Sequence, residues 1–156
     1  MPAHKARAWL DKLKAKVEKS PKVLKVDVNH RWQWRGGIGW PYLFVETDFM
    51  IRTKNRTVLI EVDNSAGPSA LCNVAKYVEL LSLNQTDLIQ PVLIHIFGPN
   101  FGGETQRNFK VHMLLCETLA HKLNIKYFQR QIFNENWSEA RFNEQVYDYL
   151  KNKHLI

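Results

Sequence analysis

Residues 43–63, LFVETDFMIRTKNRTVLIEVD, read as two strands joined by one tight turn. With the turn centred on Lys54 and Asn55, pairing outward sets Ile51 opposite Val58, Asp48 opposite Glu61 and Glu46 opposite Asp63. Side chains alternate between the faces of a sheet, and directly opposed residues share a face. One face then carries Glu46, Asp48, Glu61 and Asp63, and the other Val45, Phe49, Ile51, Val58, Ile60 and Val62. Like charges set opposite each other destabilise a sheet. Four carboxylates in one patch therefore need an outside reason, and a divalent cation supplies one. A slip of one residue in the turn would set Asp48 against Val62 and dissolve the patch.

The rest of the chain gives this hairpin a setting. A length of 156 residues fits one domain with room for a core. We expect a nuclease-like core over about 3–97 and C-terminal additions over about 104–156. Hydrophobic content of 45% with 24% charged residues argues against wholesale disorder. The net charge of +7 points to an anionic partner, nucleic acid ahead of an anionic membrane. No apolar run approaches the ~18 residues needed to cross a bilayer, and the N-terminal residues lack the apolar segment of a signal peptide. Cys72 and Cys116 lie in apolar helical patterns, which predicts two buried thiols in a reducing compartment. The expected location is the cytoplasm, or the nucleus in a eukaryote.

Residues 3–20 carry Ala6, Trp9, Leu10, Leu13 and Val17 at helical spacing. The lysines on that helix, Lys12 and Lys16 among them, form either a solvated face or a phosphate-facing one. Residues 23–34 alternate as a half-buried strand and run into RWQWRGGIGWP. There Arg31 and Arg35 are interleaved with Trp32 and Trp34. They suit a DNA-contacting loop, or tryptophans packed on the first helix with the arginines in water. Arg52, Lys54 and Arg56 cluster at the hairpin tip.

After the hairpin, Pro68 opens a helix to about residue 83, with a stripe of Leu71, Val74, Ala75, Val78 and Leu81. Residues 91–97, PVLIHIF, suit a strand covered on both faces. A helix over about 104–123 carries Val111, Leu114, Leu115, Thr118, Leu119 and Leu123. A strand over 126–133 and a helix capped by Ser138 complete the order. The prediction is a central mixed sheet flanked by helices, with a crossover between the hairpin and residues 91–97.

A helix, a three-strand meander, a crossover helix and a further strand resemble the αβββαβ core of the PD-(D/E)XK nuclease superfamily, the restriction-endonuclease-like fold. Thr47-Asp48, then twelve residues, then Glu61-Val62-Asp63 resemble its motif. The resemblance implies a divalent-metal-dependent endonuclease that hydrolyses DNA phosphodiester bonds, double-stranded or branched, with Mg²⁺ or Mn²⁺. It makes Asp48 and Glu61 metal ligands, joined by Asp63 and at the margin by Glu46. The family's lysine would stand at position 63, where this chain has Asp63. The resemblance then offers Lys76, on the following helix, for the lysine's part. Cutting two strands with one site per chain implies a homodimer. The alternative is a catalytically inactive DNA-binding or assembly module with a degenerate nuclease fold. Arg31, Trp34, Arg35, Lys12, Lys16, Arg52, Lys54 and Arg56 are the candidate nucleic-acid contacts.

Other chemistries find less support. His112 and Cys116 lie four apart on one helix, but no second close pair of ligands completes a zinc site. His95, in an apolar strand, reads as a hydrogen-bonded core histidine. An RNA-binding surface of Trp32, Trp34 and Trp40 is a further reading.

Overall fold

The computed structural model describes residues 3–35, 42–63, 68–82, 87–97, 106–131 and 138–156. The elements are α1 (Ala3–Val17), β1 (Val23–Arg35), β2 (Tyr42–Thr53), β3 (Thr57–Asp63), α2 (Pro68–Ser82), β4 (Val92–Phe97), α3 (Gln106–Lys122), β5 (Lys126–Gln131) and α4 (Glu139–Asn152). The glycine-rich turn after β1, the break after β3, the loop after β4 and the predicted end of the last strand fall outside the described residues.

The five strands form one sheet in the order β1-β2-β3-β4-β5. β1, β2 and β3 are antiparallel neighbours, whereas β3-β4 and β4-β5 are parallel. Parallel neighbours cannot be joined by a hairpin, and α2 and α3 make the two crossovers. The result is the mixed α/β architecture expected from the sequence, a central five-stranded sheet flanked by helices with the αβββαβ order at its centre. The C-terminal elements pack closely with that core. β5 extends the same sheet, α4 packs on α1, and Leu155 and Ile156 are buried beside Val92 and Ile94.

Two apolar layers cover the sheet. Val58, Ile60, Val92 and Ile94 face Leu10, Leu13, Val17, Phe142, Val146 and Leu150 of α1 and α4. Met50, Leu59 and Leu93 face Ala70, Val74, Tyr77, Leu80, Met113 and Cys116 of α2 and α3. β3 and β4 are buried along their whole lengths, as strands covered on both faces must be. Ser138 caps α4 by accepting from the Arg141 N–H, satisfying one of the helix's orphan donors.

The helical stripes on α2 and α3 are rotated from their predicted positions. Tyr77 and Leu80 are buried on α2, while Val78 is exposed. On α3 the buried line is Met113, Cys116 and Ala120, and Val111, Leu114 and Leu115 face outward. Both helices are apolar over more than one face, so spacing alone fits several rotations. Cys116 is buried as expected, but Cys72 is exposed.

One local feature decides how the predicted acid patch divides. Val26 of β1 and Phe49 of β2 lie in the α1/α4 layer, yet Trp32 and Val45, an even number of residues away, lie in the α2/α3 layer. The alternation therefore reverses once in each strand. Asn29 has φ 52, a left-handed backbone that Asn tolerates better than most residues, and it marks the reversal in β1.

Candidate acid site at the C-terminal end of β3

The hairpin register matches the sequence expectation, with Ile51 opposite Val58 and Phe49 opposite Ile60. Asp48 stands just past the last of these pairs. Its Oδ2 accepts the Val62 N–H at 2.8 Å, so the carboxylate replaces a rung of the ladder. At 3% exposure it is deeply buried.

Glu61 comes next on β3 and is 1% exposed. Tyr77 donates a short hydrogen bond to its Oε1, and the Lys76 ammonium lies 2.8 Å from the same oxygen. Burial disfavours the charged carboxylate and raises its pKa to about 7. Lys76 opposes that shift and the charge of Asp48 adds to it. Burial, with Glu61 beside it, pushes the Tyr77 phenol well above its ordinary range, so it remains a donor.

Asp63 shares the face of Glu61. Its Oδ2 accepts from Asn73 Nδ2 at 2.7 Å and lies 3.2 Å from His95 Nε2. His95, in register with Glu61 on the neighbouring strand, is fully buried, and burial lowers its pKa. A neutral imidazole offers one donor and one acceptor. The tautomer that satisfies both neighbours donates from Nε2 to Asp63 and accepts at Nδ1 from the Tyr127 hydroxyl, 2.9 Å away. Burial pushes the Cys116 thiol, hydrogen-bonded to Tyr127, up to about 11, which favours its neutral form.

The fourth acid goes elsewhere. Glu46 was expected opposite Asp63, on one face with the other three. Instead it accepts from Arg31 at 2.8 Å, its cross-strand partner in β1. The reversal of alternation beyond Phe49 puts Val45 in the α2/α3 layer and so turns Glu46 to the opposite face. Arg31 also lies 4.3 Å from the Phe44 ring. The structure therefore does not bring Glu46 together with the other three acids, and Arg31 is paired within the sheet.

The other predicted nucleic-acid contacts divide similarly. Lys12 pairs with Glu139, and Arg52 with Asp87. Lys16 lies over the Tyr147 ring at 4.4 Å. Trp34 and Arg35 continue β1 opposite Leu43 and Tyr42, but their side chains lie outside the described residues, as does Trp40. Trp32 is 9% exposed and packs edge-on to His30, so it is no stacking platform for RNA. Lys54 and Arg56 stay at the hairpin tip.

Sequence reasoning did not find Tyr77, the Asn73 bond or the His95–Asp63 contact. The signal for α2 was present: Asn73, Lys76 and Tyr77 are spaced three and four apart, which sets polar groups on one flank. Among the described residues, no group of three or more His, Cys, Asp and Glu is arranged to hold a metal ion. No helix among the described residues is long and apolar enough to cross a membrane.

No known protein family matches the chain, and no curated protein does. Solved structures resemble it, three of them as follows. Protein VC1899 from Vibrio cholerae has 12% identity and a TM-score of 0.47, over 94% of this chain and 32% of that one. AF1548, a protein of unknown function, has 13% identity and a TM-score of 0.44, over 92% and 66%. SfsA from Pyrococcus furiosus, in complex with Ca²⁺, has 10% identity and a TM-score of 0.43, over 80% and 57%. The chain thus spans only part of the length of each, and likeness at this level assigns no activity.

Proposed function

We propose that this chain is a nucleic-acid-binding or assembly module on a restriction-endonuclease-like scaffold, whose buried acids serve the fold rather than catalysis. The observation that carries this reading is that protein donors already occupy all three acids: Val62 N–H on Asp48, Tyr77 and Lys76 on Glu61, Asn73 and His95 on Asp63. A divalent ion binding there would have to displace the Lys76 ammonium or accept it as a close cationic neighbour. The net charge of +7 supports an anionic partner.

One observation favours a second reading, the metal-dependent endonuclease acting as a homodimer. Lys76 reaches Glu61 at 2.8 Å, which puts a lysine at the acids although position 63 has none. A general acid or base must reach its proton directly or through one water, and a lysine beside Glu61 would be within such reach of a water held at that carboxylate.

Supercoiled and branched DNA incubated with the full chain, with Mg²⁺, with Mn²⁺ and with chelator, separates the two. The expected outcome is salt-sensitive binding and no cleavage under any metal. Metal-dependent cleavage that disappears in Asp48→Ala would replace the first reading with the second.

A further inference from the structure

Among the described residues, a group of cations without acidic partners lies at the opposite end of the parallel strands from the acids. β3, β4 and β5 are parallel, so the ends at which they begin lie together, at Thr57, Val92 and Lys126. Around that end stand Lys22, in the turn between α1 and β1, Lys54 and Arg56, in the hairpin turn, and Lys126 itself. Among the described residues none of these four has an acidic side chain within ion-pair distance. Arg52 and Lys25, also near the hairpin turn, are matched by Asp87 and Asp27.

Two cavities give this end a shape. One, of about 450 Å³, is lined by Lys22, Leu24, Lys54, Asn55, Arg56 and His154 among others. The second, of about 300 Å³, is lined by Arg56, Gln90, Asn124 and Lys126 among others. Arg56 belongs to both, and neither has an acid in its lining. Beyond the second cavity, Lys126 and Lys153 both lie over the Phe128 ring, at 5.3 and 5.0 Å.

Part of the positive charge at this end has a structural explanation. α1, α3 and α4 finish there, and basic residues in a last turn complement the helix dipole. That accounts for Lys14, Lys16, Lys122 and Lys151. It does not account for Lys22, Lys54, Arg56 and Lys126, which stand in turns and at a strand start. Cations held close together without counter-charge repel one another, and an anionic ligand relieves that repulsion.

We propose that the phosphodiester backbone of a nucleic acid docks across these two cavities, with Lys22, Lys54, Arg56 and Lys126 on successive phosphates. The proposal rests on the nucleic-acid reading above and gives it a place. Arg56 comes five residues before Glu61, which is roughly 16 Å along a strand at ~3.3 Å per residue. A phosphate held by Arg56 therefore lies out of reach of the acids. Asn55 and Asn124 add side-chain amide donors, which contact phosphate oxygens without reading bases. Little sequence preference is expected.

Titration of the isotopically labelled full chain with a short DNA duplex at low salt tests this by amide chemical shifts. Changes are expected at Lys22, Asn55, Arg56, Asn124 and Lys126, with Glu61, Asp63 and Asn73 unmoved. The combined variant Lys22→Glu, Lys54→Glu, Arg56→Glu is expected to bind at least about ten-fold more weakly. Its plot of log affinity against log salt should be shallower by about 3, close to one for each lost phosphate contact. Shifts confined to the acid end, with the variant binding normally, would overturn the groove and leave the nucleic-acid reading standing. No binding to any duplex would overturn both the groove and the nucleic-acid half of the reading above, leaving the assembly module. Binding to phosphatidylserine vesicles with none to DNA would replace nucleic acid by a membrane surface. Should the variant not fold, the map on the native chain decides alone.

Discussion

The two ends of the parallel strands use charge in opposite ways. Where β3 and β4 finish, Asp48, Glu61, Asp63 and His95 are buried and each is matched to a named donor or acceptor. Where the strands start, Lys22, Lys54 and Lys126 are exposed. An unpaired charge costs several kcal/mol when buried and little in water. Burial therefore forced the acid end to complete its network, whereas solvent allows the basic end to keep its charges unmatched. A completed network is well suited to holding α2 and the sheet together. An unmatched, exposed one is suited to a partner.

The strongest test of that contrast removes a cation from the buried end. Lys76→Met leaves Glu61 with Tyr77 alone, and loss of one partner of a buried pair costs roughly 3 kcal/mol. The loss should be larger at pH 8 than at pH 5, where Glu61 escapes by taking a proton. Urea unfolding at the two pH values measures it. Asp48→Ala strands the buried Val62 N–H, and about 1–3 kcal/mol should disappear from the same measurement.

A subtler test uses pH alone. Glu61 has its pKa raised to about 7 by burial. Between its unfolded value near 4.5 and pH 7 the folded state binds more protons, so this residue's contribution to stability falls as pH rises. The difference is on the order of 3 kcal/mol. His95, whose pKa is lowered, works in the other direction, favouring the folded state as pH rises toward 6.5. Glu61→Gln keeps an oxygen for Tyr77 and removes only the carboxyl titration. Native and variant stabilities should therefore diverge progressively from pH 5 to pH 8, the native chain losing more.

The smallest effects belong to exposed charges. Arg31→Ala breaks an ion pair that is half exposed, and about 0.5 kcal/mol is expected. The triple groove variant should lower stability by no more than about 0.5 kcal/mol. A loss of 2 kcal/mol or more there would mean that the groove cations belong to the fold, and the contrast between the two ends would fail.

Several features were legible before any coordinates. The hairpin register follows from a turn with one polar tip and two apolar flanks, and Ile51 does meet Val58. The αβββαβ order, the buried strand at β4 and the Ser138 cap follow from periodicity, apolar run length and side-chain chemistry. Alternation singles out Asp48, Glu61 and Asp63 in the sequence, and Lys76 enters only through what the family resemblance implies.

The fate of Glu46 was not legible. Strict alternation put it with the other acids, and only the reversal marked by Asn29 turned it toward Arg31. A reversal of alternation that leaves the strand register unchanged has no dependable signature in residue order, although Asn tolerates the left-handed backbone found there. The rotation of α2 was likewise undetermined, since a helix apolar on more than one flank can turn with little change in buried area. In the rotation the fold adopts, the buried Glu61 carboxylate is matched by Tyr77 and Lys76 of that helix. Sequence by itself determined which elements form and in which order, because those depend on short-range spacing. Tertiary structure alone decided which charges are satisfied and which stay free, because that depends on what is packed against each side chain from strands and helices distant in the chain.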